Sequence, residues 1–313
     1  MDRPDIFLWP CRLHQTTLAR IPSAASVALK DLVLETLQVA LIGHYVPQRV
    51  LGHGAMASVY LAHDVKHDRK VAIKALRLHL DDPAAGERFI REIKYLAQLQ
   101  HPHILPLFDS GDALGIPYYV TSYVEGETLR RRMQLAPGKR LTVGDSTRIA
   151  REVADALDYA HARNILHRDI KPENILLLDE HALVADFGIA RAIQLAGEIA
   201  LTDTGVAIGT PAYMSPEQLA ADRDLDARSD VYALGCLVYE MLAGVPPFMG
   251  VRGVVDNARK FTSVPEFISA ARDDVTVQIE KATRCALSCD PKDRFASAGA
   301  FAAAVDRRVG KDG

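Results

Sequence analysis

The run His167-Arg168-Asp169-Ile170-Lys171-Pro172-Glu173-Asn174, with Asp186-Phe187-Gly188 downstream of it, carries the densest chemistry in the sequence. A carboxylate such as Asp169 can accept the proton of an attacking hydroxyl, while Asn174 and Asp186 supply the hard oxygen ligands that magnesium selects. Upstream, Leu51-Gly52-His53-Gly54-Ala55-Met56-Ala57-Ser58-Val59 forms a glycine-rich turn between two strand-like segments. Missing Cβ atoms there let backbone N–H groups approach phosphate oxygens, although a plain tight hairpin uses glycine in the same way. Val71-Ala72-Ile73-Lys74 lies on the third strand-like run. An ammonium amid apolar neighbours needs an anion, and α and β phosphates would serve; a solvated strand lysine also fits. Glu92, flanked by apolar positions on the following helix, can hold Lys74 by an ion pair or simply face water. Each motif alone leaves an alternative open. All of them together, in this order, leave little room for chance.

The rest of the sequence frames these motifs. With 313 residues, 49% of them apolar and 25% charged, the chain can bury a large core and is not of disordered composition. Lys and Arg number 37 against 40 Asp and Glu, a formal charge of −3, so no basic surplus argues for a nucleic acid partner. The scattered cysteines Cys11, Cys236, Cys285 and Cys289 make no disulfide framework, which suggests a reducing, cytoplasmic setting. Cys285 and Cys289, four apart on an expected helix, read as buried packing rather than a metal site. No run of about 18 uncharged apolar residues is present, and Ile6 to Trp9 is too short for a secretory core, so neither a membrane span nor export is expected.

Leu29, Val33, Leu37 and Leu41 recur at fourfold spacing and predict an amphipathic helix within an N-terminal extension, residues 1–43. Short β-rich segments follow at Tyr45 to Gly52, Ser58 to His63, Lys70 to Leu76, Ile104 to Asp109 and Pro117 to Tyr123, interrupted by a helix beginning at Asp82-Pro83. Beyond Glu125-Gly126 helices dominate: Ser146 to Ala162, Ser229 to Ala243, a weaker Asp274 to Cys289, and one near Phe301.

On these motifs, together with GAMASVYLAH from Gly54, ALVADFGIAR from Ala182 and GTPAYMSPEQ from Gly209, the sequence resembles the eukaryotic-like protein kinases over residues 45 to 308 and is most similar to their bacterial serine/threonine members. The resemblance implies an α+β, two-lobed fold: a small antiparallel β-sheet lobe with one key helix, residues 44–124, and a larger helical lobe, residues 125–310. It implies ATP with Mg2+, or Mn2+, as cofactor, and protein acceptors with serine or threonine hydroxyls. Residue by residue it implies a Lys74–Glu92 ion pair, Asp169 as base, Lys171 neutralising the transferred phosphoryl, and Asn174 and Asp186 holding the metals. Val59, Ala72 and Leu176 should sandwich the adenine, with Leu51, Gly52 and Gly54 over the nucleotide, backbone groups of Ser122 and Val124 at the adenine edge, and Thr121 behind it. Leu96, Leu107, His167 and Phe187 match an apolar column linking the lobes. Glu217 of Ser215-Pro216-Glu217, where the family has Ala-Pro-Glu, should pair with Arg294, and Asp230 should tie down the catalytic loop backbone.

The resemblance further implies that Arg168 before the base marks a kinase whose loop takes a negative charge, with Thr202 or Thr204 as the site of autophosphorylation and a homodimer for transfer in trans; two merely solvated loop threonines are the alternative. Ala57 at the third glycine position and Ser122 at a usually acidic hinge position are tolerated departures, while residues 248 to 275 match loosely. The N-terminal helix is read first as a plain cap of the chain, with packing on the small lobe or a dimer contact as the alternatives. An active protein kinase, an ATP-binding pseudokinase or scaffold, and a small-molecule phosphotransferase are the competing functions. Lys74, Asp169 and Asp186 argue against the second, and the segment Thr210 to Glu217 against the third.

Overall fold

The structure, a computed structural model, describes residues 24–54, 57–76, 83–189, 211–222, 224–250 and 255–306. Its small lobe is an antiparallel sheet built from β1 (Tyr45–His53), β2 (Ala57–Asp64), β3 (Arg69–Leu76), β4 (Leu107–Ala113) and β5 (Ile116–Ser122), in the order β1-β2-β3-β5-β4. Period-2 alternation sorts the sheet into two faces. On β3, Val71, Ile73 and Ala75 are buried while Ala72 and Lys74 are half-buried, facing the other way. The buried set packs beneath α1 (Ala24–Ala40), whose Leu37, with Leu41 of the turn that follows, joins Tyr60, Ala62 and Val120 in one apolar cluster. The N-terminal helix thus packs on the small lobe, where a plain cap was the expected role. The helix α2 (Pro83–Leu96) covers the opposite face, with Phe89 and Ile93 fully buried against Leu76 and Tyr119.

The strand expected from Ile104 begins only at Leu107. The reason is tertiary: Leu105 N–H donates to Val184 carbonyl and Val184 N–H to His103 carbonyl, both at 2.9 Å, so residues 103–105 are committed to the large lobe.

The large lobe surrounds α4 (Val143–His161) and α6 (Ala227–Ala243), which follow β6 (Glu127–Thr128) and α3 (Leu129–Leu135) in the chain. Ile149, Val153 and Leu157 of α4 meet Val231, Leu234, Val238 and Met241 of α6 in the main core, and all are at most 1% exposed. Thr142 and Asp226 start these helices by accepting backbone N–H groups on their side-chain oxygens. The hairpin β7 (Ile175–Leu178) and β8 (His181–Val184) pairs with β6. α5 (Pro216–Leu219), α7 (Arg259–Thr262), α8 (Val277–Ala286) and α9 (Ala298–Asp306) complete the lobe. Because α8 ends at Ala286, Cys285 and Cys289 do not share a helix face; Cys285 is half-buried and Cys289 exposed, against the expected buried packing. No described helix is long and apolar enough to cross a membrane.

Candidate active site

The catalytic loop is held by a buried carboxylate. Asp230, in the first turn of α6, accepts the backbone N–H groups of His167 and Arg168 and a ring N–H of His161, each at 2.8 Å. Burial would raise this carboxyl, but His161 and the backbone donors outweigh it and hold Asp230 below the usual carboxylate range. Arg168 needs that support, since its φ of 69° lies in the left-handed region, which costs a side-chain-bearing residue ~1 kcal/mol or more. His167 is oriented by its neighbours: Nδ1 accepts the Asp169 N–H (3.2 Å), so Nε2 carries the proton and donates to the Ala185 carbonyl (2.9 Å). Its ring meets Phe187 edge-on at 4.7 Å.

Three of the expected site residues converge within the loop. Lys171 Nζ donates to Asp169 Oδ2 at 2.5 Å, and Asn174 Nδ2 donates to Asp169 Oδ2 (3.0 Å) and to its backbone carbonyl (2.8 Å). With its amide nitrogen so engaged, Asn174 retains its amide oxygen as a hard ligand. Asp186, at the end of the β7–β8 hairpin, supplies a carboxylate.

The expected Lys74–Glu92 ion pair is not formed, and this is a correction. Lys74 Nζ is instead bonded to Asp186 Oδ2, while Tyr119 donates its hydroxyl to Asp186 Oδ1 at 2.5 Å. β5 pairs Tyr119 directly across from Lys74, so both donors project from one face of the sheet onto the same carboxylate. Glu92 is half-buried beside the fully buried Ile93, and α2 brings its apolar residues rather than this carboxylate to bear on the site. Burial would raise Asp186, but the ammonium and the phenol hold its carboxyl below the usual range.

The expected roof residues share the cleft-facing side. Val59 pairs with Lys74, and Ala72 with Leu61 and Thr121, so Val59, Ala72, Lys74 and Thr121 lie on one face by register. Leu176 alternates with buried Ile175 and Leu177 on β7 and is half-buried. Ser122 ends β5 with its N–H given to the Pro106 carbonyl (3.3 Å), and Val124 lies just beyond. Leu51 is exposed on β1. A Cβ at Gly52 would meet nothing within 4 Å, and one at Gly54 only the Ala57 carbonyl at 3.5 Å. Nothing among the described residues demands glycine at these two positions; a phosphate seated against that backbone would. The cradle and the oxygen donors Asn174 and Asp186 therefore fit a nucleotide with a hard divalent cation.

Gly188 has a φ of +62°, and a Cβ there would lie 2.8 Å from Leu96 Cδ2, so the glycine gives α2 its seat on the large lobe. Leu96 and Leu107 pack with the Tyr119 cluster, while His167 and Phe187 form the lower half of the expected column.

In the segment that follows, Glu217 receives Arg294 in a two-pronged pair at 2.7 and 2.8 Å, as expected. Three residues emerge here that the motifs did not single out. Gln218 donates from Nε2 to the Arg168 carbonyl (2.9 Å) while its Oε1 caps the Ser215 N–H (3.0 Å), joining the Ser215–Gln218 turn to the loop of Asp169. Arg130 reaches Glu173 (2.8 Å), Glu240 (2.7 Å) and the Tyr213 hydroxyl (2.6 Å), and Tyr213 also bonds Glu240. Lys260 lies beneath the same loop. Thr202, Thr204 and Thr210 lie outside the described residues.

Comparison with known proteins agrees with this geometry. Residues 45–304 match the protein kinase domain family. A probable serine/threonine-protein kinase of Streptomyces coelicolor is 40% identical over 262 residues, 82% of this chain and 38% of the relative. The serine/threonine-protein kinase PknB of Mycolicibacterium smegmatis is 39% identical over 268 residues, 82% of this chain and 42% of that protein. The chain thus spans about two fifths of the length of these curated relatives. The crystal structure of the Mycobacterium tuberculosis PknI kinase domain superposes with a TM-score of 0.66 at 34% identity, covering 84% of this chain and 96% of that one. A two-lobed fold, a catalytic loop built on Asp230 and motif matches across both lobes lead to one assignment: the chain belongs to the protein kinase domain family and resembles its bacterial serine/threonine members.

Proposed function

We propose that this chain transfers the γ-phosphoryl group of ATP to serine or threonine hydroxyls of protein acceptors. The observation that carries the reading is the environment of Asp169, a single carboxylate steadied by Lys171 and Asn174. In this reading Asp169 takes the proton from the acceptor hydroxyl and Lys171 offsets charge on the moving phosphoryl. Lys74 positions the α and β phosphates, which requires it to exchange or share its bond to Asp186. Asn174 and Asp186 hold Mg2+, with Mn2+ as the alternative, and the metal would neutralise phosphate charge. Residues 44–124 form the nucleotide lobe and 125–310 the acceptor lobe. Thr202 or Thr204 takes a phosphate in trans within a homodimer, and its added charge is read by Arg168. The setting is cytoplasmic.

The test is incubation with labelled ATP and magnesium in the presence of casein, followed by mapping of the phosphorylated residues. Label on serine and threonine supports the reading. Nucleotide binding without transfer would favour a pseudokinase scaffold.

A further inference from the structure

Lys260, in the single turn of α7, is 1% exposed. Its Nζ donates to the carbonyls of Pro211 (2.7 Å), Ala212 (2.9 Å) and Met214 (2.7 Å). A lysine is almost never fully buried without a partner for its charge. Here the partners are backbone oxygens, which take all three N–H donors of the ammonium. Three carbonyls from four consecutive residues aimed at one point mean that the backbone curls with its oxygens inward, around the cation. The curled segment leads directly into the Ser215–Gln218 turn. Its far side is bound to the catalytic machinery, Tyr213 through Glu240 and Arg130 to Glu173, and Gln218 to the Arg168 carbonyl.

We propose that Lys260 is a positioning residue for acceptor recognition: its ammonium shapes the 211–214 loop, and acceptor binding weakens when that ammonium is lost while nucleotide binding does not. This role rests on the kinase reading above. Burial lowers the Lys260 proton affinity to about 8. From α6 it faces the Cys236 thiol, pushed up to about 12 by burial, and the Tyr232 ring at 5.6 Å, whose phenol burial also pushes up. The Arg294 guanidinium meets the same ring at 4.9 Å, and Glu240 lies further along α6. Above about pH 8 the neutral amine donates two hydrogen bonds, and one carbonyl is released. The contribution of this group to global stability moves the other way. Between about 8 and the ordinary lysine value of about 10.4 the unfolded chain binds more protons than the folded one, so stability from this group rises with pH. A loss of acceptor affinity in that range is therefore not unfolding.

The experiment measures steady-state kinetics with ATP and dephosphorylated casein between about pH 7 and about pH 9 for wild type, Lys260→Arg and Lys260→Met. The casein KM of Lys260→Met is expected to rise about 10-fold or more, with the ATP KM unchanged. The wild-type casein KM is expected to climb through about pH 8, whereas Lys260→Arg, which stays charged, gives a flat profile. An active wild type whose casein KM does not depend on pH, or depends on it just as the arginine variant does, overturns the role even if the methionine variant fails to fold. So does a Lys260→Met enzyme with unchanged casein KM, or one whose ATP and casein KM rise together. No transfer by wild type at any pH overturns the kinase reading itself.

Discussion

Asp230→Asn tests whether the catalytic loop depends on one buried carboxylate. In wild type that carboxylate accepts three hydrogen bonds, from His161 and from the backbone of His167 and Arg168, each at 2.8 Å. An asparagine can keep one oxygen acceptor, but it turns an N–H2 group toward a donor and removes the charge. Hydrogen bonds to charged groups contribute about 1.5–3 kcal/mol each, and an unsatisfied buried donor costs about 1–3 kcal/mol, so a loss of roughly 3–4 kcal/mol is expected at neutral pH. That is a large share of a typical domain stability of about 5–15 kcal/mol.

The sign with pH follows from the lowered Asp230 carboxyl. Its stabilisation is fully present above the unfolded carboxylate value of about 3.9 and is lost as pH falls through the lower folded value. The gap between wild type and variant should therefore be constant from about pH 7 to about pH 5 and close at acid pH. Denaturant unfolding with the midpoint and slope fitted together reads it. A variant within about 0.5 kcal/mol of wild type at neutral pH, or a gap that persists undiminished into acid, would refute the reasoning.

Lys74→Met removes a cation bonded to Asp186 and, in the proposed reading, met by the phosphates; transfer should fall by at least about 100-fold and ATP affinity should weaken, which titration with a fluorescent nucleotide would show. Arg294→Met strands Glu217, whose carboxyl the guanidinium holds below its usual range against burial, and should cost about 3–5 kcal/mol in denaturant unfolding. The double variant Thr202→Ala, Thr204→Ala should lose the activity gained on preincubation with ATP, and full activity with no phosphate on either wild-type residue would remove this regulatory site.

Much of the fold was legible because its signals are local. Ile149, Val153 and Leu157, or Val231, Leu234 and Val238, declare a helix face by spacing alone, and the loop from His167 to Asn174 holds its chemistry within one short run. What escaped depends on distant parts of the chain. The partner of Lys74 is decided by how α2 is seated and by an aromatic on the neighbouring strand, 45 residues further along the chain, and Tyr119 reads in sequence only as an apolar strand residue. The late start of β4 reflects the bond of Leu105 to Val184, on the far side of the cleft. Lys260 sits in a four-residue helix, too short for any periodicity to mark its buried side.

The central claim is that Asp169 serves as the base for transfer to a hydroxyl. The most direct measurement compares wild type and Asp169→Asn for transfer of labelled γ-phosphate to casein, alongside nucleotide affinity in the same preparations. Asparagine preserves the side chain's shape and can still meet Lys171 and Asn174, so the cleft should bind ATP almost as wild type does. Transfer should fall by ~10² to 10⁴, the usual contribution of a positioned base. Near wild-type turnover in the variant, with nucleotide bound equally well, would contradict the account.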